Sequence, residues 1–164
     1  MKNEKINKII IGIFLFILVF ILDRISKEII LNIAEETEKV DLYINSFLNI
    51  YLVWNKGIGF GLLSSDNKYI YESISFFILL INLIIIYLIF VEKGLKKYFL
   101  IAILGGSFGN LFDRVYYNAV PDFIDLNYKG SHWFIFNVAD IFISLGIICL
   151  IFAELLNYKK KNEL

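Results

Sequence analysis

The chain has 164 residues, with sixteen Asp and Glu against sixteen Lys and Arg, and is 59% hydrophobic with a mean hydropathy of +0.70. That length suits one domain, and the apolar content lies above the roughly 45–50% of a soluble domain, which excludes an ordinary soluble globule. A formal net charge of zero gives no nucleic-acid signature, and one cysteine (Cys149) and one histidine (His132) exclude a disulfide framework and His-pair zinc motifs.

The elements predict an integral membrane protein built from α-helices. Ile9 to Leu22 is an uninterrupted apolar or glycine run, and it continues as helix through "DRISKEIILNI". No A-x-A-like cleavage site follows it, so it reads as an uncleaved span over 9–28 and not as a removable signal peptide. Asp23 and Lys27 are four residues apart and share a face of that helix. The segment from about 32 to 68 is too long for a plain connector. Its "SFLNIYLVW" is rich in β-branched and aromatic residues and precedes "NKGIGFG". This predicts a strand or two with a Gly-rich turn, a small β cradle resting on the membrane surface.

A second span is expected over 70–91, with Asn82 inside it. A third is expected over 98–113 and carries "GGSFGN". A fourth is expected over 133–156, with Asn137 and Asp140 three apart on one face near its start. A bilayer needs ~20 residues per helix, so the first and third spans must borrow polar flanks. Lys2, Lys5 and Lys8, then Lys93, Lys96 and Lys97, then Lys159, Lys160 and Lys161 fall on one side of this four-span arrangement. Positive loops stay in the cytoplasm, which places both termini there and both long loops outside.

The polar residues of the outer edge are Asp23, Lys27, Asn110, Asp113, Arg114, Asp122, Asn137 and Asp140. Ionisable groups in or near hydrocarbon are costly and mark function. Two carboxylates brought together share a proton and can activate a water, with no metal, cysteine or histidine. "GGSFG" also fits G-x-S-x-G, but that motif needs a strand-turn-helix context, and Gly105 and Gly109 fit helix packing instead. Ser26 and Lys27 are adjacent on a helix and point apart. A small proton-coupled carrier or channel, with the aspartates as a relay, is the alternative function, and no inverted repeat supports it.

"DRISK", "WNKGIGFG", "GGSFGNLFDRV", "DFID" and "FNVAD", in this order between four spans, closely resemble lipoprotein signal peptidase (signal peptidase II), a family of bacterial intramembrane aspartyl proteases. The resemblance implies that Asp122 and Asp140 are the catalytic pair. It implies that Asp23, Lys27, Asn55, Gly57, Asn110, Arg114 and Asn137 line or brace the site. It implies a prolipoprotein substrate whose cysteine carries diacylglycerol, cleaved just before that cysteine by a single membrane-embedded domain (residues 1–164). The setting it implies is the bacterial inner membrane, with the site near the outer face, surrounded by membrane lipids, as a monomer and with no cofactor or metal. Pro121 and Phe134 depart from the family's usual Val and Pro at those positions.

Overall fold

The computed structural model describes residues 2–58, 65, 67–128 and 131–162. Four helices, α1 (Lys2–Thr37), α2 (Lys68–Val91), α3 (Leu95–Tyr116) and α4 (Val138–Asn162), stand with four strands, β1 (Asp41–Asn45), β2 (Leu48–Asn55), β3 (Val120–Tyr128) and β4 (Ser131–Phe136).

The helices are apolar outside and mixed inside. Phe14, Phe90 and Phe152 are exposed, as are most large aliphatic side chains of α1, α2 and α4. In water such a surface would be untenable, whereas in lipid it is the expected one. Among the described residues three helices are long and apolar enough to cross a membrane: Asn3–Thr37, Lys68–Val91 and Val138–Asn157. α3, expected as a third span of four, is not among them. Its composition is the reason, with three glycines, Asn110 and the charges of Lys96, Lys97, Asp113 and Arg114, and it packs against α1, α2 and α4. A helix enclosed by three others presents little surface to lipid and can carry glycines and charges instead.

The inner face of α1 is a stripe. Val19, Asp23, Lys27 and Ile30, spaced four, four and three, are all buried, which is the spacing that stacks side chains on one helical face. At ~1.5 Å per residue the 36 residues of α1 reach about 54 Å, longer than a ~30 Å hydrocarbon core. Its far end packs on the sheet. Ile30, Val40 and Phe123 form a small core there, flanked by Ile33, Ala34, Ile50, Leu52, Ile124 and Val138.

The sheet departs from the expected cradle. Its order is β1-β2-β3-β4, all neighbours antiparallel. The loop after α1 supplies β1 and β2, as expected, while the segment after α3 supplies β3 and β4. Asn118, at φ 57°, turns the chain from α3 into β3, a left-handed conformation that Asn tolerates. The segment around Trp133 and Phe134 is therefore strand, and the helix expected from residue 133 begins at Val138. Gly59 and Gly61, part of the expected Gly-rich turn, lie outside the described residues. Pro121 faces Trp54 of β2, and the β3–β4 ladder begins only at Ile124. The missing proline N–H thus falls where β3 has no ladder on its other side.

Asn82, the interior amide of α2, is buried, and neither of its side-chain atoms has a hydrogen-bond partner among the described residues. Nothing in the structure explains it.

Candidate active site

The start of α4 organises the site. Asn137 is fully buried at the N-cap position, and Asp140 is the third residue of the helix. The Asp140 N–H donates to Asn137 Oδ1 at 3.1 Å, and the Asn137 N–H donates to Asp140 Oδ2 at 3.1 Å. This is a reciprocal capping box built from Asn and Asp. Asn137 was expected on a helical face inside the fourth span, but it precedes that helix and caps it. Its Oδ1 accepts from Asp140, so its NH2 is free to turn the other way, where Nδ2 donates to Asp122 Oδ1 at 2.6 Å. One asparagine therefore bridges the two aspartates.

Asp122 sits in β3 and is 2% exposed. Its second oxygen accepts from Asn55 Nδ2 at 2.8 Å. Asn55 ends β2, and its Oδ1 accepts from the Gly57 N–H at 2.7 Å while Nδ2 also reaches Ile58 O at 3.2 Å. The Gly57 carbonyl in turn accepts from the Arg114 guanidinium. Arg114 is buried, its guanidinium carbon lies 5.6 Å from the Tyr71 ring centre, and its backbone carbonyl accepts from Tyr71 OH at 3.0 Å. The chain after β2 is thus tied both to a carboxylate and to α3.

Burial, and then the nearby charge of Asp140, push the Asp122 carboxyl up to about 7, although the Asn55 and Asn137 amides and Lys27 oppose this. Taking a carboxylate out of water disfavours its charged form, and a second carboxylate disfavours it further.

Behind Asp140 lies a buried charge cluster. Lys27 Nζ is 2.8 Å from Asp23 Oδ1 and 2.6 Å from Asp113 Oδ2. Arg24 is 2.7 Å from Asp23 Oδ2 and 2.5 Å from Asp113 Oδ1. Two acids and two bases balance, which is the condition under which buried charges are tolerable. Asp23 Oδ1 also accepts from the Ala139 N–H at 3.1 Å, capping the first turn of α4 from α1. Asn110, half-buried on α3, connects the cluster to Asp140.

Close helix approach makes this possible. A Cβ on Gly106 would lie 2.6 Å from the Ala139 carbonyl oxygen, and one on Gly109 would lie 2.5 Å from Asp23 Oδ2. Ser107 belongs to this glycine-lined helix, as the packing reading expects, and not to a strand-turn-helix elbow.

All nine residues singled out from sequence therefore meet in one place: Asp23 and Lys27 from α1, Asn55 and Gly57 from the end of β2, Asn110 and Arg114 from α3, Asp122 from β3, and Asn137 and Asp140 from the start of α4. Asp113, which the sequence placed at the outer edge but not among the site residues, joins them, as does Arg24, which the sequence reading did not single out. The spacing of Asp113 three residues after Asn110 would have placed it on the same face. Asp125, fully buried on β3, was missed as well.

The family model described as signal peptidase (SPase) II matches residues 15–156. The chain belongs to the signal peptidase II family. A lipoprotein signal peptidase of Pelagibacter ubique (strain HTCC1062) is 51% identical over 164 residues, covering 99% of this chain and 96% of that one. One from Wigglesworthia glossinidia brevipalpis is 37% identical, covering 93% and 95%. A bacterial membrane enzyme solved by the in meso method at 2.3 Å resolution superimposes with a TM-score of 0.71 at 28% identity, covering 92% of this chain and 90% of that one. A second, at 1.9 Å resolution, gives 0.66 at 30% identity, covering 88% and 92%. With its apolar helices, this signal peptidase II family member is a membrane-embedded protease.

Proposed function

We propose that the protein is an aspartic endopeptidase that removes signal peptides from diacylglyceryl-modified prolipoproteins by cutting just before the lipidated cysteine, with Asp122 and Asp140 as its catalytic pair. The observation that carries this reading is the Asn137 bridge, which brings two carboxylates of separate elements to one asparagine, Asp122 on its side-chain NH2 and Asp140 on its backbone N–H. One carboxyl of the pair starts protonated and polarises the scissile carbonyl, while the other, ionised, takes a proton from a water held between them, and the proton then reaches the leaving amine. Arg114 and Asn55 brace the chain at Gly57, next to the Asn55 amide that holds Asp122.

The deciding experiment is cleavage of a purified diacylglyceryl prolipoprotein by the reconstituted enzyme. Product should begin at the lipidated cysteine, and chelators should leave the rate unchanged. Activity lost with EDTA and restored by zinc would overturn the dyad. The pH profile carries a second expectation. The reaction needs one proton held on the pair, and burial and Asp140 push the Asp122 carboxyl up to about 7, so the rate should fall as pH rises through about 7. A rate still climbing beyond that point would show that the reaction does not use a proton held on the pair.

In this reading α3 crosses the membrane as the enclosed member of four spans, both termini face the cytoplasm, and the sheet lies over the outer leaflet with the site beneath it. The lysine distribution supports that orientation. Reporter fusions after Lys96 and after Leu164 should report cytoplasm, and a fusion near Asp66 should report the outer face. An outer-face signal at Leu164 would require an odd number of spans.

A further inference from the structure

The Asn110 amide has two chemically opposite ends, and its surroundings admit one orientation. A lysine ammonium has three N–H donors and no acceptor. Lys27 is 1% exposed, so water cannot serve it, and its three donors go to Asp23, Asp113 and Asn110 Oδ1, the last at 2.8 Å. An asparagine facing an ammonium must present its oxygen. Its NH2 then faces the other way, and there Nδ2 donates to Asp140 Oδ1 at 2.9 Å.

We propose that Lys27 is a positioning residue for the peptidase reaction, acting through Asn110. It locks the amide so that Asp140 meets an N–H donor and not a carbonyl oxygen. The proposal rests on the reading of Asp140 as half of the catalytic pair. Lys27 makes no hydrogen bond to Asp140 itself, and its charge is balanced within the cluster of Asp23, Arg24 and Asp113. With Lys27 removed, the Asn110 oxygen loses its partner, and only the bond to Asp140 itself is left to orient the amide. The turned amide would set acceptor against acceptor. Asp140 Oδ1 would lose its donor, and only the Asn137 N–H on Oδ2 would remain to aim the carboxylate.

The test is steady-state cleavage by the full-length enzyme in phospholipid vesicles, with a diacylglyceryl prolipoprotein as substrate. Lys27→Met alone leaves two buried acids facing one arginine and is prone to misfold. Lys27→Met/Asp113→Asn removes one charge of each sign and keeps the balance. For that pair of changes kcat should drop roughly 10²-fold, the scale of a small misplacement of a reacting group, with KM unchanged. Adding Asn110→Ala should cost nothing further, because residues acting through one another are not additive. A full kcat, a change in KM alone, or a further multiplicative loss on adding Asn110→Ala would each overturn the proposal. Asp140→Asn, measured alongside, separates the two levels. If it stays active, the functional reading fails. If it is dead while the charge-balanced variant is fully active, only the Lys27 role fails.

Discussion

If Asp122 and Asp140 are the proposed pair, Asp122→Asn and Asp140→Asn should each abolish cleavage while the protein remains folded in the membrane, and uncleaved lipid-modified precursor should accumulate. Both substitutions keep size and nearly keep shape. Each removes an ionisable proton from the pair. Loss of general acid–base help alone costs ~10²–10⁴ in rate, and loss of the water-activating pair costs at least that. Asp140→Asn also places an amide where Asn110 Nδ2 and the Asn137 N–H both donate. One of those donors then faces another NH2, so a modest loss of stability is expected there. Ser107→Ala is the control. Ser107 sits mid-helix beside the glycine face, and its loss leaves the rate near normal. A dead Ser107→Ala with an active Asp140→Asn, at equal protein levels, would replace the aspartyl mechanism with a serine nucleophile.

Gly106→Ala is the second large effect, and it comes from one methyl group. The added Cβ would meet the Ala139 carbonyl oxygen at 2.6 Å and the Ile143 side chain at 3.1 Å. The oxygen belongs to helix backbone, which cannot swing aside as a side chain would. The remaining response is for α4 to move away from α3. Overpacking of this kind costs typically ~1–3 kcal/mol. The movement also carries Asp140, the residue after Ala139, away from Asn110. A displacement near 1 Å at a reacting group can cost about 10²-fold. Thermal unfolding should show a lowered midpoint, and kcat should fall in the protein that remains folded. Wild-type kcat together with wild-type stability would show that the α3–α4 contact is looser than its geometry. Ser107→Ala, next in the chain, changes neither quantity, which separates the glycine's role from that of its neighbour.

The residues of the site were legible from sequence because they break a pattern: Asp23, Lys27, Asp122 and Asp140 interrupt apolar runs and so stand out. Their mutual roles were hidden. Arg24 adjoins Asp23 in sequence, so a helical reading separates their directions, yet its long side chain reaches both Asp23 and Asp113. The strands of the second outer segment were hidden for a different reason. "VPDFID" contains Pro and two Asp, residues depleted in strands. "HWFIF" runs on into an apolar helix, and short apolar runs do not distinguish strand from helix. The signal was present at Asn137, where N-x-x-D marks a helix start. Its capping box divides β4 from α4.

The order of the sheet bears on how the enzyme comes into being. β2 emerges early and its partner β3 late, with α2 and α3 synthesised between them. Until α3 is in place, β2 carries β1 on one side and an unpaired edge on the other, and edges of that kind invite wrong partners. Asn55 waits on that edge for Asp122. Asp140 follows later still, and it takes up its place only when α4 starts beneath the completed sheet. A nascent chain halted anywhere before that helix holds at most one of the two carboxylates. On the proposed dyad, a protease whose substrates share its own membrane would therefore be inert until α4 begins, and would acquire the second carboxylate only there.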